Sequence, residues 1–381
     1  MTHSRPPDVS DAMKVLSVVG ARPQFIKAAP VSRALRQAGV HEVLLHTGQH
    51  YDYGMSAVFF EELGMQEPHY NLGVGSGSHA AQTAAMLTGI EAVILDERPQ
   101  WVVVYGDTNS TLAGALAAAK VGVPVAHVEA GLRSYNRAMP EEINRLVADR
   151  LSCVLFCPTQ VAADNLAREG ITRGVHIVGD VMYDAVLWAS ERMECAHVLS
   201  RLDVEPGKYL LATVHRAANT DDPRNLASIM LALGRAGHTV VFPVHPRTRK
   251  AMREAGISPG SNVLAADPVS YLEMLALEKH ARAILTDSGG VQKEALWFGV
   301  PCITLRDETE WVETVELGWN TLAGTDPDRI LAALDKPKPS APPPPVYGDG
   351  RASERIAAVL RTVTNHQSTG GHPEHRGVGN E

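Results

Sequence analysis

Residues 101–120 read WVVVYGDTNSTLAGALAAAK, and the reading of this stretch decides the fold. Trp101 to Tyr105 are apolar and mostly β-branched, with no polar alternation. A strand of that kind must be covered on both faces, as in a parallel sheet packed between helices. Gly106 and Asp107 break the run, and Thr108 to Lys120 is rich in the strong helix formers Ala and Leu. Strand, turn and helix in immediate succession make the repeating half of a βαβ unit.

The same order recurs in both directions from this point. Strand-like runs are KVLSVVG (14–20), HEVLLHTG (41–48), VPVAHVE (123–129), CVLFCPT (153–159) and HIVGD (176–180). After about residue 200 the pattern restarts with KYLLATVHR (208–216), TVVFPVH (239–245), SNVLAAD (261–267), RAILTDS (282–288) and VPCITLRD (300–307). The sequence therefore predicts an α/β chain of two Rossmann-like, doubly wound lobes with a cleft between them. The lobes are expected at 13–185 and 186–345, with Trp188 to Leu202 as helix leading into the linker. KPKPSAPPPP (336–345) is a stiff connector. Ser353 to Val363 reads as a helix, within a segment (346–365) expected to cross back to the first lobe. Residues 366–381 read as a disordered tail.

The bulk numbers fit this organisation. A length of 381 residues allows about two domains. Hydrophobic residues make up 45% and aromatics only 5%, so Ala, Val and Leu must fill the core. A net charge of −8 argues against a nucleic-acid partner. No apolar run approaches the ~20 residues of a membrane span. The polar start MTHSRPPDVSDAM does not read as a signal peptide, so the expected location is the cytoplasm. The four cysteines are too few for a disulfide scaffold. Cys153 and Cys157, in one strand-like run, are expected to be buried free thiols rather than metal ligands.

In open parallel sheets ligands bind beyond the C-terminal strand ends, and there the sequence concentrates its chemistry. GARPQFIK after the first strand supplies Arg22 and Lys27 beside a helix N-terminus, a natural phosphate site. Asp107 follows WVVVYG, Glu129 follows VPVAHV, and MPEEINR supplies Glu141 and Arg145. Each has a plainer reading as a solvated charge, a helix-dipole carboxylate or an exposed i, i+4 pair. In the second half, ATVHR places His215 and PVHPR places His245 at strand ends. The sharpest signal is ILTDSGGVQKEA (284–295). Ser288, Gly289 and Gly290 make a small-residue turn into a helix, where a diphosphate can approach backbone donors. Glu294, one turn further in, is placed to reach a ribose diol. The glycines of NLGVGSGSH (71–79) miss the dinucleotide spacing because position 78 is Ser. That weakens an NAD-dependent reading, and no P-loop is present.

With these residues in view, the chain resembles the non-hydrolysing UDP-N-acetylglucosamine 2-epimerase family from about Lys14 to Arg361. The resemblance rests on GARPQFIKAAP, TGQHYD, GDTNSTLAG, HVEAGLRS, MPEEINR, VHR, PVHPR, DSGGVQKEA and RDETEWVE, in that order. It implies a glycosyltransferase-B type fold, a UDP-sugar substrate, no cofactor, a homodimer and a role in polysaccharide biosynthesis. It implies Asp107, Glu129, Glu141 and His215 as the catalytic group. Arg22, Ser288, Gly289, Gly290 and Glu294 are implied as UDP ligands, with Arg145, His245 and Lys27 as further contacts. Gln49 and His50 match part of an effector site in activated members. Asp52 and the lack of an Arg in NLGVGSGSH predict weak or no substrate activation here.

Three departures from the common pattern stand out. HR-x-E-N reads HRAAN, with Ala218; Q-E-E reads QKE, with Lys293; T-E-R-P-E reads TEWVE, with Trp311 and Val312. GARPQFIK and TEWVE resemble the subgroup acting on UDP-2,3-diacetamido-2,3-dideoxyglucuronate. The implied reaction is reversible epimerisation at C2, UDP-GlcNAc to UDP-ManNAc, by loss and return of UDP through a 2-acetamidoglucal. The alternatives are the diacetamido-uronate substrate, a hydrolysing 2-epimerase, a UDP-dependent glycosyltransferase and a non-catalytic UDP-sugar sensor.

Overall fold

The computed structural model describes residues 13–49 and 60–369, with side chains described through residue 364. Its strands gather into two all-parallel sheets. The first holds β1 (Lys14–Val19), β2 (His41–His46), β3 (Tyr70–Asn71), β4 (Trp101–Tyr105), β5 (Val125–Val128), β6 (Val154–Cys157) and β7 (Val175–Ile177). Their spatial order is β3-β2-β1-β4-β5-β6-β7. The second holds β8 (Tyr209–Thr213), β9 (Thr239–Pro243), β10 (Val263–Ala266), β11 (Ala283–Thr286), β12 (Cys302–Thr304) and β13 (Asn320–Leu322), in the order β10-β9-β8-β11-β12-β13. Two Rossmann-like lobes result, as the alternation of apolar strands and Ala-rich helices predicts.

Burial explains why these runs are strands. Every residue from Trp101 to Tyr105 is fully buried, because helices cover both faces of the first sheet. The second sheet is likewise sandwiched. Strand order reverses between β1 and β4 in one sheet and between β8 and β11 in the other. At each reversal the connecting helices leave toward opposite faces, opening a crevice beyond the strand C-termini.

The lobes also share packing. Tyr271 and Leu275, on the second lobe's helix Tyr271–His280, belong to the first lobe's apolar cluster. The helix Ala352–Thr369 buries Ile356 and Leu360 in the same cluster with Val15 and Phe25. Asp184 receives its N-terminus, accepting from Ala352 N at 3.1 Å and Ser353 N at 2.8 Å. Trp101 Nε1 donates to Thr364 Oγ1 at 2.7 Å near its end.

Several local readings change. β3 and β13, two and three residues long, escape a search for apolar runs. The expected linker helix is two helices, Val181–Ser190 and Cys195–Arg201. Cys153 is exposed rather than buried, because β6 begins one residue later and Cys153 lies on the lip of the sheet; Cys157 is buried as expected. The last helix runs to Thr369, while residues 1–12, 50–59 and 370–381 lie outside the described residues. The signal-peptide reading, His50, Asp52 and most of the expected tail therefore lie outside them too. Among the described residues no helix is long and apolar enough to cross a membrane.

Candidate active site

The candidate residues fall at the two sheet reversals. In the first lobe, Arg22 and Lys27 follow β1 on the helix Arg22–Gln37, and Gly106–Asp107 follow β4. In the second, His215 follows β8, and Asp287 to Gly290 follow β11. Strand geometry thus converges these side chains on one crevice in each lobe.

Glu129 shows how the first lobe aims a carboxylate. It sits just past β5 with φ +70°, a left-handed backbone uncommon for a residue with a side chain. Its N–H and that of Ala130 both donate to Phe156 O, at 3.1 and 3.0 Å, which fixes the sharp turn. The carboxylate meets Lys27 Nζ at 2.5 Å and Lys293 Nζ, from the second lobe, at 3.3 Å. Burial pushes its pKa up, but the two ammonium groups outweigh burial and hold it below the usual carboxylate range. A strained backbone at a buried, doubly paired carboxylate is a combination that points to function.

Asp107 is paired with Arg145, which also holds Glu142 at 2.5 Å and approaches Glu310 of the second lobe at 3.7 Å. Burial raises the Asp107 pKa; Arg145 and then Lys27 outweigh it, so the group stays ionised. The helix Pro140–Leu151 thus directs Arg145 to Glu142 and Asp107 rather than to Glu141 at i−4. Glu141 is half-buried in the first turn and makes no hydrogen bond or ion pair among the described residues.

A buried layer supports this group. His127 Nε2 donates to Gly106 O at 2.7 Å, and its Nδ1 lies 2.8 Å from Asp149. Asp149 also binds Arg133 Nη1 at 2.7 Å and Gly131 N at 3.2 Å. The turn carrying Asp107 is therefore tied from beneath, by residues that the strand-end search passed over.

In the second lobe the helix Gly289–Trp297 starts after Ser288, which makes no side-chain cap hydrogen bond, just beyond the C-terminal end of β11. A Cβ added to Gly289 would lie 2.9 Å from Trp311 Nε1, so the turn has room for glycine only. Asp287 anchors the neighbouring strand end, accepting from His215 N, Arg216 N and Asn219 Nδ2 at 2.9–3.1 Å. His215 Nδ1 is 3.5 Å from Asp287, and its ring lies 5.7 Å from that of His245. Loss of hydration lowers the His215 pKa and Asp287 opposes this, while Arg216, Arg22 and Arg247 lower it further, favouring neutral imidazole. His245 is exposed and caps its own helix, accepting from Arg247 N at 3.2 Å.

Glu294 accepts from Tyr271 Oη at 3.2 Å. Burial dominates its titration and pushes it up to about 7, despite Tyr271, Lys293 and Arg22. Arg22 lies in the field of Glu62, Glu294 and Tyr271, its pKa lowered by burial. Gln49 uses its side-chain oxygen to accept from Ser110 N at 3.2 Å and Oγ at 2.8 Å.

Lys293, Asp180, Arg216 and Glu310 complete the site and were not among the sequence-selected ligands. Lys293 is fully buried, bound to Asp180 and Glu129, with Trp311 beneath it. Its departure from the family pattern was the available signal; HIVGD and TEWVE offered none that tied Asp180 or Glu310 to the site.

Comparison with known proteins places this geometry. A family model described as UDP-N-acetylglucosamine 2-epimerase matches residues 33–361. The chain is 51% identical to a UDP-N-acetylglucosamine 2-epimerase homolog of Methanococcus maripaludis, over 92% of this chain and 100% of that one. It is 50% identical to a UDP-2,3-diacetamido-2,3-dideoxy-D-glucuronate 2-epimerase of Pseudomonas aeruginosa, over 91% and 99% respectively. The crystal structure of Methanocaldococcus jannaschii UDP-GlcNAc 2-epimerase, in complex with UDP-GlcNAc and UDP, superposes with a TM-score of 0.86 at 43% identity, covering 92% of this chain and 100% of that one.

Proposed function

The chain belongs to the UDP-N-acetylglucosamine 2-epimerase family, and on that premise we propose that it interconverts UDP-GlcNAc and UDP-ManNAc by eliminating and re-adding UDP. The observation that carries the reading is the meeting of the lobes. First-lobe carboxylates Asp107 and Glu129 stand against a second-lobe turn of free helix N–H groups, close enough for Lys293 to touch Glu129 at 3.3 Å.

The proposal gives each part a role. The hydrogen on C2 becomes removable when UDP begins to leave C1 and positive charge develops there. The N-terminus of the helix Gly289–Trp297, Arg22 and neutral His215 stabilise the departing diphosphate. Glu294 holds the ribose. Asp107, Glu129 and Glu141 supply acid and base at the two faces of C2. Glu129 and Asp107 are kept anionic by their cations, whereas Glu141 has no partner among the described residues. Reprotonation on the opposite face of the 2-acetamidoglucal and return of UDP give the epimer. The reaction asks for no redox cofactor. We place the protein in the cytoplasm as a homodimer, with hyperbolic velocity against its UDP-sugar.

A second reading, the UDP-2,3-diacetamido-2,3-dideoxyglucuronate substrate, is favoured by the similarity to the Pseudomonas relative. Proton NMR of each UDP-sugar with the pure protein in deuterated water tests both. The expected result is epimer carrying deuterium at C2. Retained hydrogen, a requirement for NAD, free ManNAc as first product or turnover only with an acceptor would each overturn the proposal.

A further inference from the structure

Lys293 in DSGGVQKEA and Trp311 in RDETEWVE are the two positions that the sequence sets apart. In the chain they belong to separate segments; in the fold they touch. Lys293 Nζ lies 3.6 Å from the centroid of the Trp311 ring. From the second lobe, the same ammonium reaches Glu129 Oε2 at 3.3 Å and Asp180 on the first. Lys293 is 0% exposed and Trp311 5% exposed, so the charge has no water and depends on these partners. Trp311 itself has little freedom. Tyr347 packs edge-on against it at 5.8 Å, and Gly289 lies close to its Nε1. An indole held this way gives the ammonium a favourable face on the side away from Asp180, its nearer carboxylate, and Glu129.

We propose that Lys293 and Trp311 form one positioning unit, in which the fixed indole aims the ammonium across the cleft so that Glu129 takes its working place only when the lobes are closed. The proposal deepens the 2-epimerase reading and rests on it. The unit can be tested by exchange, because Trp311→Arg would return one cation to the pocket that Lys293→Glu empties.

The groups facing Glu129 define what a change should do. They are Lys27 from the helix Arg22–Gln37, Lys293, Asp107 from the turn after β4 and the Tyr347 hydroxyl, while Asp180, ahead of the helix Val181–Ser190, shares Lys293 with it. Without Lys293, Lys27 alone opposes burial and the Asp107 carboxylate. Glu129 then holds its proton to higher pH and loses its position.

The test compares wild type, Lys293→Gln, Lys293→Glu, Trp311→Arg and the double variant Lys293→Glu/Trp311→Arg. Turnover, KM and pH profile are measured with the UDP-sugar, and UDP binding by calorimetry reports folding. Displacing a reacting group costs about 10²-fold in rate. Lys293→Gln should lose about that in kcat with KM little changed, and its acidic limb should move to higher pH. Lys293→Glu and Trp311→Arg should each be impaired, and their combination should recover much of the lost kcat. If Lys293→Glu no longer binds UDP, Lys293→Gln alone decides. Wild-type kcat and pH profile in Lys293→Gln, or a double variant showing merely multiplied losses while binding UDP, would overturn the unit. A wild type that neither forms epimer nor exchanges the C2 hydrogen would overturn the 2-epimerase reading itself, and this inference with it.

Discussion

At the scale of the residue, charge pairing divides the candidate carboxylates. Asp107 and Glu129 are bound to cations, and Glu141 is not. Each of Asp107→Asn, Glu129→Gln, Glu141→Gln and His215→Ala is expected to lower kcat by about 10²-fold or more, the usual worth of a general acid or base. UDP binding should survive the two Glu changes. Near-native turnover in both Glu variants would remove these residues from the chemistry. Glu294 carries a separate pH prediction. Its pKa, raised to about 7, means that the folded chain binds a proton the unfolded chain releases near its ordinary 4.5. That contribution to stability is present at low pH and fades as pH rises from about 4.5 through about 7. A carboxylate accepting from a ribose diol works best ionised, so ligand affinity should change in the opposite sense. The groups around it are Tyr271, Glu278, Lys293, Asp180 and Arg22, of which Glu278 is itself a buried carboxyl pushed up by burial. Thermal melts of the free protein should fall across this window while affinity for UDP-glucose, whose diphosphate diester has no proton to exchange there, should rise. In Glu294→Gln the affinity trend should vanish and the fall in melting temperature should shrink, the remainder coming from other buried carboxyls held above their ordinary range, Glu278 among them. The residues legible from sequence were those immediately after apolar strands, because strand ends are where a parallel sheet exposes chemistry. Asp149, His127 and Asp180 were illegible: their roles come from contacts among distant segments, which spacing does not encode.

At the scale of the element, two turns separate the two halves of the work. Gly106 follows β4 with φ +62°, and a Cβ there would stand 2.9 Å from Lys27 Nζ, the partner of Glu129. Gly289 opens the second lobe's helix with Trp311 and Arg216 close by. Gly106→Ala adds left-handed strain, about 1–2 kcal/mol, and displaces Lys27. It should lower kcat about tenfold or more while UDP still binds. Gly289→Ala should do the reverse, weakening UDP because the helix N-terminus can no longer present its donors unobstructed. Steady-state kinetics beside calorimetry would separate the two, and equal loss of UDP affinity in both would contradict this division. The long apolar strands and their order of appearance could be read directly, since burial on both faces leaves no alternation to confuse. The short β3 and β13 could not, because two or three residues carry no periodicity. Nor could the break between the helices Val181–Ser190 and Cys195–Arg201, which occurs where the chain passes between lobes.

At the scale of the molecule, the proposed reaction makes closure a requirement, because glycal and UDP must stay together until they recombine. Among the described residues, polar contacts join the lobes around the crevice at Lys293 with Glu129 and Asp180, at Arg145 with Glu310, and at the Tyr271 N–H donating to Glu62 Oε2 at 3.3 Å. The first two involve groups assigned to the chemistry, so changing them alters rate and closure together. Glu62 is different. It is half-buried in the first lobe, and its oxygen holds the N-terminus of the helix Tyr271–His280, the same helix whose Tyr271 and Leu275 pack into the first lobe's core. Glu62→Ala should therefore loosen closure without removing an acid, a base or a donor to the diphosphate. A typical hydrogen bond contributes about 1 kcal/mol net, a shift of about fivefold in the balance between open and closed forms. The expected outcome is escape: free UDP and 2-acetamidoglucal should accumulate about fivefold faster than in wild type, while C2 deuterium exchange per productive turnover is retained. Phosphorus NMR follows released UDP and proton NMR the vinyl proton of the glycal. The Arg22 field also loses a carboxylate in this variant, which would strengthen rather than weaken its hold on the diphosphate, so leakage in spite of that gain would point to closure. Unchanged leakage in a variant that still binds UDP and turns over would show that packing of the helix Tyr271–His280, without the Glu62 contact, is sufficient to keep the lobes together.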